Sequence, residues 1–497
     1  MLSWRARKDP AAPASRNERP LYVLSQRGPL SFDVDEEGML QASPAGGGLA
    51  SAFGTIAELR PLHWIAVAVS DADRLAASQN ESIRTGQTEL HLVALPPAVE
   101  RLHYWAFANP LLWLIQHGLS DRLVRPRSWR AIARAWSNGY EPANAAMAQR
   151  VAEVASNEEE PVILVQDYHF YLAPRMIREA LPKARIAHFV HIPWPEPDAW
   201  AMLPRAIVEQ ILDGLLGADV LGFQTTGDVE RFLATCRAYR GDRTQPSMVE
   251  GSELTREMLL TADGSKLTAD RSTLVGHFPI TVDAKHLKSW AEAPEAQPYH
   301  RALKAENGMQ TIVRVDRLDP TKNIAAGFEA YGLMLEHRPD LRGKVRFLAH
   351  LVPSRAELAE YQIARREALA AANAVNERFG LPGWRPIQIL YEENRPLASA
   401  LLSHYDALLV NSLADGMHLV AKEGAVLNQH DGLLVLSRRA GAWEELGPWA
   451  LGVDPTDIKG TAQALEAALT MSAADRRRMA KGLHEAVQRS SLQDWLD

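Results

Sequence analysis

The stretch TIVRVDRLDPTKN, residues 311–323, contains a short apolar run that ends abruptly in charged residues. The run 311–315 is rich in β-branched residues, which favours a buried β-strand. Pro320 and its charged neighbours do not continue that strand and lead into a helical segment. A strand, a turn and a helix in this order form the repeating unit of parallel α/β sheets.

Apolar runs of the same kind recur along the whole chain, with turn residues and helical periods between them. They lie at 21–24, 161–165, 186–192 and 220–223 in the first half and at 311–315, 345–348, 407–410 and 433–436 in the second half. Strands that alternate with helices imply crossover connections and a parallel sheet. We therefore predict the α/β class, with a doubly wound, Rossmann-like parallel sheet in each half.

Length and composition suggest where the domains begin and end. A chain of 497 residues exceeds one ordinary core. Residues 283–298 contain alanines, glutamates and two prolines and little that could form a core strand, so they are the best linker candidate. We predict a disordered basic tail at 1–20, an N-terminal domain at 21–288 and a C-terminal domain at 289–480.

Composition also excludes several classes of protein. The formal net charge is −7, without the basic stripe that a nucleic-acid binder needs. The single cysteine, Cys236, excludes an intramolecular disulfide framework and a thiolate metal cluster, and it agrees with a reducing, cytoplasmic compartment. The chain has no run of about eighteen apolar residues, so we predict no membrane span. The oligomeric state, including a homo-oligomer, is left open.

Polar residues that follow the strands of the first domain are candidates for chemistry, because ligands of open α/β sheets bind beyond the carboxyl ends of strands. Two such domains facing each other would form a cleft. Arg27 and the turn with Gly47 and Gly48 suit a phosphate, and a flexible turn with a surface arginine is the alternative. Asp167 and His191 end neighbouring strands, where a carboxylate and an imidazole can bind sugar hydroxyls. A core histidine is the alternative for His191.

In the second domain the strand-to-helix turn carries two cations, Arg317 and Lys322, five residues apart. Such a pair can clamp a diphosphate leaving group in place of a metal ion, and a solvated loop is the alternative. After another strand, Asp415 and the turn at Gly416 can present a carboxylate and free N–H groups to a sugar. Glu423, two helical turns further on, suits ribose hydroxyls, and simple helix capping is the alternative for this acidic pair.

Taken together and in order, six segments resemble the trehalose-6-phosphate synthase family of retaining glycosyltransferases. These segments are 165–169, 191–195, 221–225, 317–322, 415–417 and 419–423. The resemblance runs from about residue 21 to the end of the chain. It implies the GT-B architecture, in which two Rossmann-like domains face a cleft, and a last helix at 481–497 that crosses back to the N-terminal domain.

The resemblance also implies a reaction. Glucose would pass from a nucleotide sugar such as UDP-glucose to a phosphorylated acceptor, above all glucose 6-phosphate. Configuration would be retained because the acceptor attacks the face from which the diphosphate departs, and the leaving phosphate would take the acceptor proton. The family needs no protein nucleophile, metal or other cofactor for this step, and the sequence shows neither a G-x-S-x-G nor an H-E-x-x-H motif.

Site residues follow from the matching positions. The resemblance implies catalytic roles for His191, Asp167, Arg317 and Lys322. It implies a donor site formed by Arg27, Gly47, Gly48, Asp415, Gly416, Met417, Leu419, Val420 and Glu423. It implies an acceptor site formed by Tyr104, His103 and Arg355.

Four positions depart from the family pattern. Val67 replaces the second tryptophan of a Trp-x-Gly-Trp sequence, His103 replaces a tyrosine, Asn323 replaces a glycine and His418 replaces an asparagine. These changes keep two alternatives open, a glucosylglycerol-phosphate synthase-like enzyme and a pseudo-glycosyltransferase that uses an aminocyclitol phosphate. An inactive nucleotide-sugar-binding regulatory module is the alternative from another class.

Overall fold

The computed structural model describes residues 19–44, 60–124, 128–241, 243–247, 256–260, 272–305, 308–492 and 495. The chain packs as two units: Met1–Gln116 with Arg125–Phe278, and His117–Val124 with Pro279–Asp497. The boundary therefore falls after residue 278 and not after residue 288. Most of the predicted tail, residues 1–18, lies outside the described residues.

The first unit is built on a mostly parallel sheet. Its strands are β1 (Leu21–Ser25), β2 (Leu30–Val34), β3 (Leu40–Pro44), β4 (Leu62–Val67), β5 (Ile83–Thr85), β6 (Thr88–Val93), β7 (Val162–Gln166), β8 (Arg185–Val190), β9 (Val220–Phe223), β10 (Arg243–Ser247), β11 (Arg256–Leu260) and β12 (Thr273–His277). Among the described residues one sheet has the order β10-β11-β12-β9-β8-β7-β1-β4-β6-β5, and β2 and β3 form a separate hairpin. The strands from β12 to β6 are parallel, and β1 lies between β4 and β7.

The helices of the first unit connect these strands. The α-helices are Asp71–Gln79, Pro97–Leu102, Trp113–Gln116, Trp129–Ala135, Glu141–Val154, Ala173–Ala180, Arg205–Leu215 and Thr226–Arg240. Short 3₁₀ segments occur at Tyr168–Phe170 and Pro197–Met202, and π-helical segments at His103–Leu112 and Trp136–Tyr140. Such π-helical turns are uncommon and are frequently found at functional sites.

The second unit has the strand order of a Rossmann fold. Its strands are β13 (Gln310–Arg317), β14 (Val345–Val352), β15 (Ile387–Tyr391), β16 (Ala407–Val410), β17 (Leu433–Ser437) and β18 (Leu451–Val453). They are all parallel, in the order β15-β14-β13-β16-β17-β18, which is 3-2-1-4-5-6 when counted within the unit. The order reverses between β13 and β16, and this switch point is where such folds bind ligands.

Helices cover both faces of this second sheet. They are Ala284–Glu292, Gln297–Ala305, Ile324–His337, Ala359–Phe379, Arg395–Ser403, Leu419–Leu427, Trp443–Leu446, Ile458–Thr470 and Ala473–Val487, with 3₁₀ segments at Ser120–Arg122, Pro320–Lys322, Pro339–Leu341 and Gly447–Trp449. Within the described ranges, no helix is long and apolar enough to cross a membrane.

All eight strands predicted from apolar runs are present, so the α/β class with two Rossmann-like sheets is confirmed. Two boundary predictions differ from the structure. Residues 283–298 are not a linker, because Asp283 caps the helix Ala284–Glu292 through the N–H groups of Lys285 and His286 (both 3.0 Å). Residue 480, the predicted end of the C-terminal domain, lies inside the helix Ala473–Val487, and the crossing of 481–497 to the N-terminal domain stays a prediction.

The helix Glu141–Val154 supports the residues that follow β7. Asn144 is fully buried, and its Oδ1 accepts hydrogen bonds from the N–H groups of Leu172 (3.1 Å) and Ala173 (3.2 Å). Its Nδ2 donates to the carbonyl of His169 (3.1 Å). Nδ2 also donates to the carbonyl of Tyr140 (2.9 Å), so one side chain pairs four backbone groups that would otherwise need other partners.

We predict that Asn144→Ala lowers the free energy of unfolding by about 2–4 kcal/mol, because two buried N–H donors lose their acceptor. Urea denaturation followed by circular dichroism measures this change. Gln149→Ala is the matched control, since Gln149 lies on the same helix but is exposed. Equal stability of the two variants would contradict a supporting role for Asn144.

Candidate active site

The turn after β13 is shaped by two polar side chains. Asp319 Oδ1 accepts a hydrogen bond from the N–H of Thr321 (3.0 Å), which starts the 3₁₀ segment. Asn323 has a left-handed conformation (φ 56°), and its Nδ2 donates to the carbonyls of Pro455 (2.7 Å) and Asn411 (3.2 Å). Asparagine is one of the few residues that adopt this conformation readily. Asn323 therefore preserves the turn in place of the glycine of the family pattern.

Carboxylates hold the buried side chain of Lys322. Its Nζ donates to Asp415 Oδ2 and lies 3.8 Å from Asp316 Oδ1. Asp316 in turn accepts from Arg314 Nε (2.8 Å), and its Oδ1 lies 3.1 Å from His418 Nε2. Because Asp316 is the next-to-last residue of β13 and Asp415 follows β16, these contacts join the two strands at the switch point.

Neighbouring charges keep both carboxylates ionised. Burial alone would raise the pKa of Asp316, but Arg314, His418 and Lys322 hold that pKa well below its usual range. Burial likewise opposes ionisation of Asp415, whereas Lys322 and His418 lower its pKa. The charge of Lys322 is thus balanced by protein carboxylates and not by solvent.

Two arginines share a third carboxylate beside this cluster. Arg317 is exposed at the end of β13, and Arg355 Nη1 lies 3.7 Å from Asp319 Oδ2. Arg355 also donates to the hydroxyl of Tyr361, which donates to Asp319 (2.8 Å). Burial would raise the pKa of Asp319, but the charges of Arg317 and Arg355 lower it. The structure therefore brings the predicted diphosphate and acceptor-phosphate arginines to one carboxylate.

The loop after β16 leads into a helix with an open N-terminus. His418 has a left-handed conformation (φ 70°) at the N-cap, and no side chain caps the helix Leu419–Leu427. Histidine is among the residues found most often at positive φ, so it can replace the asparagine of the family pattern. The first N–H groups, including those of Leu419 and Val420, stand at the positive helix end, which attracts phosphates.

Adjacent residues of this helix have different environments. Lys422 is fully buried, and its Nζ donates to the carbonyl of Ile280 (2.8 Å) and to Glu445 (2.6 Å). Glu423 is only partly buried, and burial raises its pKa to about 7, although Arg395 opposes the shift. A carboxyl group of this kind can change its ionisation when a hydroxyl-bearing ligand binds.

In the first unit, Asp167 has a strained backbone. Its φ of 69° and ψ of 177° lie in a region that is essentially restricted to glycine. Its N–H donates to the carbonyl of Phe189 (2.8 Å), and its Oδ1 accepts from the N–H of His191 (3.1 Å). Such strain persists where the surroundings enforce it, and it is common at ligand-binding sites.

The His191 imidazole is held between two glutamines. Nε2 lies 2.8 Å from Gln166 Oε1 and Nδ1 lies 3.3 Å from Gln224 Nε2, so Nε2 carries the proton and Nδ1 accepts. Burial lowers the pKa of His191 to about 3. The ring is therefore neutral with both nitrogens engaged. This arrangement suits hydrogen bonding and positioning, and does not suit proton exchange with a substrate.

The remaining predicted residues of the first unit differ in exposure. Arg27 is exposed directly after β1. His103 is fully buried in a π-helical segment, 3.3 Å from Gln26 Oε1, so this side chain has no surface for an acceptor. Tyr104 stacks on His169 with ring centroids 5.8 Å apart. Val67 is a core residue, 1% exposed. Because His103 is buried, it can affect the binding of an acceptor only through the residues that surround it. Gly47 and Gly48 lie outside the described residues.

Sequence reasoning missed several residues of these clusters. Arg314 and Asp316 look like ordinary members of a strand run, but charged residues in a strand buried on both faces have to be paired, and this was a usable signal. The spacing of Gln166 and Gln224 along the sequence does not indicate that they contact His191. His117, from the segment that packs with the second unit, contributes charge near Asp319 and Asp415.

Known proteins are similar to this chain over most of its length. A relative from Dictyostelium discoideum, described as a UDP-forming alpha,alpha-trehalose-phosphate synthase A, is 28% identical over 96% of this chain. The match spans only 61% of that protein's length.

Solved structures are similar as well. An alpha,alpha-trehalose-phosphate synthase from Burkholderia xenovorans in complex with glucose 6-phosphate has a TM-score of 0.82 at 28% identity, over 97% of this chain and 98% of that chain. The E. coli protein bound with UDP-2-fluoro glucose has a TM-score of 0.80 at 27% identity, over 96% and 97%. The model of glycosyltransferase family 20 matches residues 19–497, which is nearly the whole chain, and the chain therefore belongs to this family.

Proposed function

We propose that this protein transfers glucose from UDP-glucose to glucose 6-phosphate with retention of configuration, forming trehalose 6-phosphate and UDP. The observation that carries the proposal is the buried Lys322–Asp415 pair beside Arg317, at the switch point between β13 and β16. The relatives support the choice of substrates, since they are described as UDP-forming, and one is in complex with glucose 6-phosphate.

The cations act on the leaving group. As the bond between the sugar C1 and the phosphate oxygen breaks, negative charge grows on the diphosphate. Arg317 and Lys322 stabilise that charge, and Asp316 and Asp415 keep Lys322 in place. The open N-terminus at Leu419 adds a partial positive charge. Glu423 accepts hydrogen bonds from the ribose hydroxyls.

The acceptor hydroxyl attacks C1 from the face that the diphosphate leaves. A new C1–O bond forms as the C1–phosphate oxygen bond breaks, and the hydroxyl proton passes to the leaving phosphate. No metal, other cofactor or protein base takes part. The neutral, doubly hydrogen-bonded His191 supports this mechanism, because it offers no free nitrogen to take a proton. Asp167 binds sugar hydroxyls.

The phosphate of the acceptor binds Arg355, which already lies near the Asp319 carboxylate beside Arg317. The comparisons do not favour a glycerol phosphate or aminocyclitol phosphate acceptor, nor an inactive binding module. Val67 and His103 are buried, so their departures from the family pattern alter the core behind the site. A cytoplasmic location, the lack of nucleic-acid and membrane partners, and the oligomeric state stay predictions.

The product identifies the reaction. The protein is incubated with UDP-glucose and glucose 6-phosphate, and the phosphorylated disaccharide is examined by NMR. We expect two α-anomeric carbons joined through one oxygen and stoichiometric UDP. A β linkage, or free glucose as the only sugar product, would overturn the proposal.

We predict that Arg317→Ala and Lys322→Ala each lower kcat by about two to three orders of magnitude, because each removes a donor to the developing diphosphate charge. Lys322→Ala should also lower the free energy of unfolding by about 3–5 kcal/mol, since Asp415 loses its buried partner. Arg317→Ala should cost less stability than Lys322→Ala, because Arg317 is exposed and Asp319 keeps Arg355 nearby. Lys288→Ala, on an exposed helix position, is the control. Near-normal turnover in both variants would contradict the proposed stabilisation of the diphosphate by Arg317 and Lys322.

We predict that Glu423 makes donor binding depend on pH. Its raised pKa means that the folded state holds a proton that the unfolded state releases, so its ionisation lowers stability as the pH rises from about 4.5 to about 7. The affinity for UDP-glucose should increase as the pH rises through about 7, because the ionised Glu423 carboxylate accepts hydrogen bonds from the ribose hydroxyls.

Glu423→Gln should remove both pH dependences, and the exposed Glu292→Gln should leave them unchanged. Thermal unfolding and isothermal titration calorimetry between pH 5 and pH 8 measure them. An unchanged pH profile in Glu423→Gln would exclude this role.

We predict that glycine at position 167 gives a more stable protein than alanine, but that neither variant keeps wild-type activity. Glycine relieves the backbone strain, so this variant should be more stable than Asp167→Ala by about 1–3 kcal/mol. Both variants should lose at least about tenfold in kcat/KM, the effect of one charged hydrogen bond. At the exposed Asp198, glycine should give no such advantage over alanine. Wild-type activity in Asp167→Gly would contradict the proposed sugar contact.

A further inference from the structure

Two histidines and a glutamate lie close together on the neighbouring strands β4 and β6 of the first unit. His63 on β4 is the register partner of Glu89 on β6, and His91 lies two residues beyond Glu89 on the same face. One ligand atom of each residue lies within 4.8 Å of the others. The cluster is placed by strands and not by loops, which fixes its geometry.

The spacing of the two imidazoles matches a metal-ligand pair. His63 Nδ1 lies 3.2 Å from His91 Nε2. Two nitrogens at about 2.0–2.1 Å from a tetrahedral Zn²⁺ are themselves about 3.3 Å apart. We propose that His63, Glu89 and His91 form a Zn²⁺ site with one coordination position left for water.

Neighbouring groups hold these side chains as outer partners of metal ligands usually do. Ser82 Oγ donates to Glu89 Oε1 (2.6 Å), and Arg84 lies 3.1 Å from the other carboxylate oxygen. The His63 ring stacks on Tyr22 with centroids 5.0 Å apart and an angle of 8° between the planes. Glu89 and His63 are therefore fixed before any ion arrives.

The outer nitrogen of His91 faces the backbone. His91 is hydrogen-bonded to the backbone of Glu81, and its Nε2 faces His63 Nδ1. Arg150 donates to the carbonyl of Glu81 (3.3 Å) and lies 3.4 Å from His91 Nδ1, behind the ring.

The site lies far from the proposed chemistry. Tyr22 pairs with His63 and with Ile163 of β7, four residues before Asp167. At about 3.3 Å per residue, His63 and Glu89 lie roughly 13 Å and His91 roughly 7 Å before the level of Asp167 along the strands. In addition, β6 is three strand spacings from β7, each about 4.8 Å. The ion therefore joins β4 to β6 and is separate from the proposed transfer of glucose.

Zinc content tests the site. Untagged protein is stripped with EDTA, desalted, incubated with Zn²⁺, desalted again and analysed by mass spectrometry for metal. We expect about one Zn²⁺ per chain and a rise in unfolding temperature on zinc addition. His63→Ala, His91→Ala and Glu89→Gln should each retain almost none and show no rise. Ser82→Ala should bind about 10–100-fold more weakly, as expected for an outer partner.

The matched control is Glu158→Gln, a carboxylate that acts on His63 electrostatically but is not a ligand, and it should retain zinc. Co²⁺ adds an independent measure, because a four-coordinate site gives intense visible absorption and a six-coordinate ion does not. Equal zinc retention in wild type and His91→Ala, no retention in wild type, or a six-coordinate Co²⁺ spectrum would each overturn the proposal. Circular dichroism in EDTA verifies that every variant is folded.

Discussion

The buried contact between Lys322 and Asp415 is the interaction on which the second unit's site depends. Its partners come from the turn after β13 and the loop after β16, the strands at which the sheet order reverses. A buried lysine is tolerated only when paired, so the fold has to bring these two segments together. Asp316 then provides a second carboxylate, and the left-handed Asn323 completes the turn that presents the lysine.

The two units carry different kinds of side chains after their strands. In the second unit, charged side chains neutralise one another. In the first unit, Asp167 and a neutral His191 are fixed by backbone strain and by two glutamines. Charge stabilisation suits a departing diphosphate, whereas fixed neutral hydrogen-bonding groups suit sugar hydroxyls. This division agrees with a transferase in which the protein supplies no base.

The sequence predicted the sheets well because apolar strand runs and turn residues are local signals. All eight strands taken from such runs are present, and the cations after β13 lie at the switch point. Strands β5 and β18 were missed, since three residues carry little periodicity, and the longer strands β4, β6 and β15 were missed as well. The linker prediction was wrong because prolines and alanines at 283–298 also fit capped helices.

Site residues were predicted where family motifs matched and missed where long-range packing decides. The contact of Lys322 with Asp415 joins residues 93 apart, and the grouping of His63 with Glu89 and His91 depends on strand register. Neither can be obtained from spacing alone. In the sequence, the replacements at 323 and 418 left open whether the specificity or the sugar transfer itself is changed. In the structure both residues occupy left-handed positions that asparagine and histidine can adopt.

The most direct test of the central claim is the rate of UDP release from UDP-glucose by the purified protein, with glucose 6-phosphate, with glycerol 3-phosphate and without acceptor. We expect rapid release only with glucose 6-phosphate, with one disaccharide phosphate formed per UDP. Release that is equally fast without acceptor, or that requires glycerol 3-phosphate, would contradict the assignment of trehalose 6-phosphate synthesis to this protein.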